Sequence, residues 1–351
     1  MGMSIQSLFE RAIEMKASDL LLTSGSPAVL RIDGELRLVD STALTNDELH
    51  RMVCSLLSAE QVQRLTKRRE LDFAVQLNGS HRFRGNAFFT RHGIAANYRL
   101  LSTKIPTLQE LTLPGILEEI ALERQGLVLI TGPTGHGKST TLASMIEIIN
   151  RNRRAHIVTI EDPIEYVYEN RLSIVNQREV GSDTMSFTEA LRHVLRQNPD
   201  VLLVGELRDL ETISMAVTAA ETGHLVLSTL HTNDAAQTVD RLIDVFPSHQ
   251  QSQVRTQLSL CLLAVLSQRL LPRKEGTGRI PATELLRRTY AISNMIRDGN
   301  THQINSVLET QSQLSMHTMD NSIKRLYTQG LITLETARQH VRDLKSLGAL
   351  E

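Results

Sequence analysis

Residues 132–140 read Gly132, Pro133, Thr134, Gly135, His136, Gly137, Lys138, Ser139 and Thr140, and their types and spacing specify chemistry more directly than any other segment of the chain. Glycines let backbone N–H groups close around phosphate oxygens, Lys138 reaches the β- and γ-phosphates, and the Ser139 hydroxyl is the natural ligand for Mg²⁺. The run follows the apolar GLVLIT and precedes LASMIEII, whose apolar residues have helical spacing. That is the strand, loop and helix context a phosphate-binding loop requires, and the helix N-terminus adds its positive end to the same point. The ligands expected are a nucleoside triphosphate, ATP, and Mg²⁺.

Hydrolysis further needs carboxylates to hold the metal and to orient or deprotonate water. VLLVGE ends in Gly205-Glu206, where many phosphate-loop enzymes carry Asp followed by Glu. With Gly in the Asp position, a second carboxylate must come from elsewhere, and Glu161, Asp162 and Glu165 of IEDPIEY, at the end of the strand AHIVTI, are the source expected. Ser139 and Glu206 are the candidate metal ligands. The residues leave open whether Glu165 or Glu206 is the base. His224 and His231 flank the apolar LVLSTL. A polar side chain at the end of an open α/β sheet can sense a γ-phosphate, although a lone histidine serves equally well as a structural residue. Between Asp72 and Glu110 there is no acidic residue, while Arg82, Arg84, Arg91, Arg99 and Lys104 fall there. Such an array reads either as arginine fingers offered to phosphates or as a solvated strand edge.

The elements that must position these groups divide in two. Residues 1–105 mix an amphipathic helix, alternating strands broken by Gly25, Pro27 and an Asp33-Gly34 turn, a helical region over 45–69, and a meander with turns at Asn78-Gly79 and His92-Gly93. This predicts a small α+β domain. The stretch 106–115, with Pro106 and Pro114, reads as a linker. From 116 to 351 short continuous apolar runs alternate with helical segments, the pattern of parallel strands buried on both faces. From about Ser248 the strand signal fades and a helical C-terminal part is expected.

Composition narrows the classes. The chain has 351 residues, enough for about two domains at roughly 150 residues each. Its net charge of −1 argues against coating nucleic acid or membrane by bulk charge, and 3% aromatics leave little for base stacking. Two cysteines, Cys54 and Cys261, cannot form a zinc cluster within one chain and read as buried packing residues. The apolar run Leu258 to Leu266 is far short of the roughly 20 residues that span a bilayer, and no signal-peptide order opens the chain, so a cytoplasmic protein is expected.

With these segments in hand, the chain resembles the secretion and pilus ATPases of the GspE/VirB11 type, and within them the twitching-motility retraction branch. GPTGHGKSTTLASMI looks like the Walker A box, TIEDPIEYVY the Asp box, RQNPDVLLVGELRD the Walker B box and GHLVLSTLHTNDAAQTVDRLIDVFP the His box. The resemblance implies an N-terminal PAS-like domain, a RecA-like core and a homo-hexameric ring with ATP in the cleft between domains. It implies Lys138 and Ser139 on phosphate and Mg²⁺, Glu165 and Glu206 as catalytic carboxylates, and His231 as the coupling residue. It also implies arginines from Arg82 to Arg99 on phosphate across domains. The partners implied are an inner-membrane platform protein of the type IV pilus machine, at whose base the motor docks, and other retraction ATPase paralogues. Nucleic acid is not among them. Two departures stand out: His136 replaces the usual small Ser, and AISNMIRDG at 291–299 resembles the AIRNLIRE motif with Ser293 for Arg and Asp298 for Glu. The alternatives are an accessory paralogue, a pilus-assembly or type II secretion ATPase, a nucleic-acid translocase, and a scaffold that only binds nucleotide.

Overall fold

The computed structural model describes residues 4–32, 35–77, 81–101, 104–310 and 315–344. The expected turns at Asp33-Gly34 and Asn78-Gly79 lie outside the described residues. The chain divides into two compact units, Met1–Lys104 and Ile105–Glu351.

In the first unit the elements run α1 (Ile5–Glu14), β1 (Asp19–Thr23), β2 (Pro27–Ile32), β3 (Glu35–Ala43), α2 (Asn46–Cys54), α3 (Ala59–Arg68), β4 (Glu70–Leu77), β5 (His81–Thr90) and β6 (Gly93–Leu101). The strands form one antiparallel sheet in the order β3-β2-β1-β6-β5-β4. The period-2 alternation in β1, β2 and β4 points Leu20, Leu22, Leu30, Phe73 and Val75 to one face. Leu8 and Phe9 of α1, Leu49 and Val53 of α2 and Leu65 of α3 close over that face in a single cluster. Phe9 stacks on Phe83 at 4.3 Å between ring centroids and meets Tyr98 edge-on. The helical region 45–69 is two helices, each opened by a capping box: Thr45 with Glu48, and Ser58 with Gln61. The result is the α+β arrangement expected. Cys54 departs from expectation in staying partly exposed, whereas Cys261 is buried.

The second unit starts with residues 106–115, read from sequence as a linker but packed into the core: Leu108 and Leu113 are buried, and the Ser144 hydroxyl donates to the Pro106 carbonyl at 2.7 Å. The unit continues α4 (Ile116–Ala121), β7 (Gly126–Thr131), α5 (Lys138–Asn152), β8 (His156–Glu161), β9 (Ile174–Glu179), α6 (Phe187–Val194), β10 (Val201–Val204), α7 (Leu210–Glu221), β11 (Leu225–Leu230), α8 (Ala235–Asp244) and α9 (Ser248–Cys261). Then come β12 (Leu262–Pro272), β13 (Arg279–Arg287), α10 (Tyr290–Asp298), α11 (Ile304–Thr310), α12 (Met319–Thr328) and α13 (Leu334–His340). One seven-stranded sheet has the order β13-β12-β7-β11-β10-β8-β9, parallel except for β13. Every residue of β7, β10 and β11 is buried, because helices cover both faces. This is the α/β core with helices on both sides that the apolar runs indicated.

The expectation of an all-helical part from Ser248 is corrected. Two long strands, β12 and β13, lie beyond it, and β12 sits beside β7, the strand that leads into the nucleotide loop. The run SLCLLAVLSQRLL has no Gly or Pro to mark where α9 stops, so its period does not separate a buried helix from a buried strand. The neighbouring strand decides the matter from Leu262 onward.

Candidate nucleotide site

The loop 132–137 leaves β7, turns into α5, and can do so only through glycine at three points. Gly132, Gly135 and Gly137 have φ of +136°, +76° and +83°, the left-handed region where a Cβ is strained. Gly137 caps α5, and Lys138 and Ser139 are the first residues of the helix. Lys138 is buried, and its ammonium donates to the Gly132 carbonyl at 2.8 Å and the Pro133 carbonyl at 2.9 Å. Burial lowers its pKa, and the charge of Glu165 opposes that shift. Thr140 Oγ1 lies 3.0 Å from the Tyr166 hydroxyl, which ties α5 to the Asp-box loop.

Because the strands are parallel and in register, the ends of β7, β8, β10 and β11 converge: Val204 pairs with Ile160 and with Ser228, and Thr131 with Leu230. This brings Glu161, Asp162, Glu165, Glu206 and His231 to the edge that carries the loop. Glu161 accepts from Thr159 Oγ1 at 2.6 Å and from Gln177 Nε2 at 3.3 Å. Burial pushes its pKa up to about 7, against those hydrogen bonds. Asp162 is exposed and Glu165 half-buried. Glu206 is bound on both oxygens by Arg208, with Nη2 to Oε2 at 2.9 Å and Nε against Oε1. His231 Nε2 is 3.6 Å from Glu206 Oε2. Burial, with help from Lys138 and Arg208, lowers the His231 pKa, which disfavours the charged imidazole at this contact.

Two expectations are corrected. His224 precedes β11, so it lies at the opposite end of that six-residue strand from His231, roughly 20 Å away at about 3.3 Å per residue. There it contacts the Ala219 carbonyl from Nδ1 at 3.0 Å and lines an open pocket with Arg124, Arg153, Arg154 and Asp200. It lies at the end of β11 remote from the loop of its own unit. In the arginine array, Arg99 is held by a carboxylate of its own unit. Arg99 donates to Asp19 at 2.9 Å, and Arg31 reaches the other oxygen of the same carboxylate. Asp19 is 80 residues from Arg99 in sequence and opposite it across β1 and β6, which only strand pairing reveals. Arg84 faces Arg99 across β5 and β6, and Arg82 and Arg84 point away from the core that holds Phe83. Arg91 is exposed in the turn before β6. These four belong to the first unit.

Among the described residues no group of three His, Cys, Asp or Glu side chains could hold a metal by itself. That suits Mg²⁺, which takes one or two protein ligands and completes its shell with phosphate oxygens and water. The half-buried Ser139 at the start of α5 fits such a role directly, and Glu206 fits it once Arg208 releases an oxygen.

The protein family described as type II/IV secretion system protein matches residues 3–345. The chain belongs to this family. Within it, the type IV pilus retraction ATPase PilT of Pseudomonas aeruginosa is 44% identical over 340 residues, covering 97% of this chain and 98% of that protein. The type IV pilus ATPase PilU of the same organism is 41% identical over 345 residues, covering 98% of this chain and 90% of that protein. A crystal structure of the pilus retraction motor PilT with bound ADP matches with a TM-score of 0.93 at 47% identity, over 99% of each chain. The GspE/VirB11-type resemblance and its retraction branch are therefore shown.

For this member of the secretion family, sequence reading missed the residues that hold the loop from behind. Gln268 Nε2 donates to the His136 carbonyl at 2.9 Å, and Gln268 Oε1 accepts from Thr141 at 2.8 Å. The Leu270 amide donates to His136 Nδ1 at 2.9 Å, and Arg279 reaches the Gly135 carbonyl at 3.2 Å. Gln177 of β9 likewise binds the Tyr166 carbonyl and the Tyr168 amide and so shapes the Asp-box loop. Neither SIVNQRE nor SQRLLP alternates apolar with polar residues, so no local pattern marked Gln177 or Gln268.

Proposed function

We propose that the chain is a motor ATPase that binds ATP and Mg²⁺ at residues 132–140, hydrolyses ATP, and as a homo-hexamer drives type IV pilus retraction from the cytoplasmic base of the pilus machine. The observation that carries this reading is the full-length similarity to PilT, ADP-bound relative included, together with an intact loop from Gly132 to Thr140. In this reading Lys138 exchanges the carbonyls of Gly132 and Pro133 for phosphate oxygens. Ser139 and Glu206 hold the metal, and Mg²⁺ supplies charge neutralisation on the β- and γ-phosphates. Glu165 and Glu206 are the carboxylates available to water, and His231, beside Glu206, reports the state of the phosphates to α8. Arg82, Arg84, Arg91 and Arg99 are the further arginines available to phosphate, Arg99 by giving up Asp19. The platform protein of the inner membrane is the partner proposed; among the described residues no helix is long and apolar enough to cross a membrane.

A second reading is favoured by one feature. Ser293 and Asp298, the departures in the retraction motif, lie on α10, where Arg297 bonds Asn294 at 2.7 Å and pairs with Asp298 at 3.5 Å. These departures favour an accessory motor that works beside a principal retraction ATPase. An assembly or type II secretion ATPase with a four-cysteine zinc site conflicts with two cysteines, and a nucleic-acid translocase would show salt-dependent stimulation of ATPase by single-stranded DNA.

The test is retraction in a type IV piliated host lacking its own retraction ATPase, supplied with this protein or with Lys138→Ala. Retraction restored by the parent alone supports a self-sufficient motor. ATP hydrolysis without restored retraction sinks that reading and favours the accessory one.

A further inference from the structure

A loop that aims its N–H groups inward at phosphate must aim its carbonyls outward, and each outward carbonyl needs a donor. In this protein the His136 carbonyl finds its donor in Gln268 Nε2 at 2.9 Å, from a side chain that is 3% exposed. The other end of the same amide accepts from Thr141 Oγ1 at 2.8 Å, one turn into α5, so the amide bridges the loop and the helix that follows it. The backbone of Gln268 is as close. A Cβ on Gly132 would lie 2.2 Å from the Gln268 carbonyl oxygen, and one on Gly137 would lie 2.9 Å from Gln268 Nε2. One residue of β12 thus contacts both ends of the loop and fills the space that glycine vacates.

We propose that Gln268 is a positioning residue for nucleotide binding: its side-chain amide holds the His136 carbonyl outward and locks the loop to α5, which keeps the loop's N–H groups turned to the phosphates. The inference rests on the reading of residues 132–140 as the nucleotide site. Gln268 does not touch the reacting atoms. Its effect is therefore on affinity, through the shape of the unoccupied loop.

The experiment is titration of the full-length protein with ADP and measurement of KM and kcat for ATP, in the parent, Gln268→Met, Thr141→Val and the double variant, with Lys138→Ala as control. Met keeps the length of Gln268 and removes both polar atoms. Leaving one buried carbonyl without a donor is expected to raise the Kd for ADP and the KM for ATP about tenfold in Gln268→Met, with kcat at saturating ATP reduced less. Thr141→Val is expected to raise Kd about threefold by freeing one end of the amide. The double variant is then expected to fall short of the sum of the two single losses, because the two side chains share one bond, Thr141 keeping a second contact of its own to the Gly137 carbonyl at 3.1 Å. A parental Kd in Gln268→Met, or a drop in kcat with Kd unchanged, overturns the proposal. Fully additive losses in the double variant overturn it too. If Gln268→Met does not fold, Thr141→Val decides: a parental Kd overturns the proposal. No ADP binding in the parent would instead overturn the reading of the site, and that result is distinct from all of these.

Discussion

Lys138 and Glu206, the two charges on which the proposed hydrolysis depends, are each held by partners inside the site, Lys138 hydrogen-bonded to two loop carbonyls and Glu206 paired with Arg208. Lys138→Ala is expected to lower ATPase activity about a hundredfold or more, the scale for one lost charge-stabilising donor. Its thermal stability should hold, since a buried ammonium whose pKa burial has lowered is removed. Unchanged turnover would take Lys138 out of the site. Gly132→Ala should fail on stability as well as binding, because the new Cβ meets backbone oxygen, not a side chain that can move. Glu161 gives a pH signature. Its folded pKa is about 7 against an ordinary 4.5, so the native state holds the proton more tightly than the unfolded chain does. That preference is fully present below about pH 4.5 and is lost as pH rises through about 7, at most about 3 kcal/mol for a side chain that keeps some solvent contact. Unfolding followed by denaturant from pH 4.5 to 7.5 should therefore show the parent losing more stability with rising pH than Glu161→Gln does. Equal slopes would mean that Glu161 ionises as freely as an exposed carboxyl.

At the scale of elements, the antiparallel pair β12–β13 is the part of the fold that residue patterns did not announce and that the site depends on. Its outer end packs on the C-terminal helices: Leu271, Ile280 and Ala282 meet Met319, Ile323 and Leu326 in one cluster. Its inner end carries Gln268 toward the loop and Glu284 toward two helix starts. Glu284 is buried and accepts from the Ala235 amide of α8 at 2.8 Å and from the Met319 amide of α12 at 3.3 Å. Glu284→Ala leaves both N–H groups without a partner and is expected to cost about 2–5 kcal/mol, with the midpoint of denaturant unfolding as the readout. Glu284→Gln keeps one of the two acceptors and should recover part of that loss. Because α8 follows the His231 segment directly, the same variant should also disturb His231, which lies just before Asp234, the residue that caps α8.

For the whole molecule, the departures on α10 are the natural variables. If Ser293 and Asp298 limit coupling, the pair Ser293→Arg and Asp298→Glu should raise retraction in the complementation assay and leave ATP hydrolysis within about twofold, since α10 lies outside the residues 132–140. A rise in hydrolysis without a rise in retraction would place the limit elsewhere. Assembly is testable by native mass measurement, where a particle of six chains is expected with nucleotide.

The sequence by itself determined the chemistry of the loop, because Gly132 to Thr140 are contiguous and each residue's role follows from its own type. It determined the α/β core as well, because β7, β10 and β11 are buried on both faces and so are apolar without interruption. The carboxylates Glu161 and Glu206 were legible as strand ends. Tertiary structure alone decided the rest. Asp19 meets Arg99 through strand pairing across 80 residues. His224 and His231 are separated by the length of β11 although both flank it. The run from Leu262 becomes a strand because β7 offers it an edge, and with that pairing Gln268 arrives behind the loop. Residue type shows what a side chain can do, and only strand order and register fix which side chains meet.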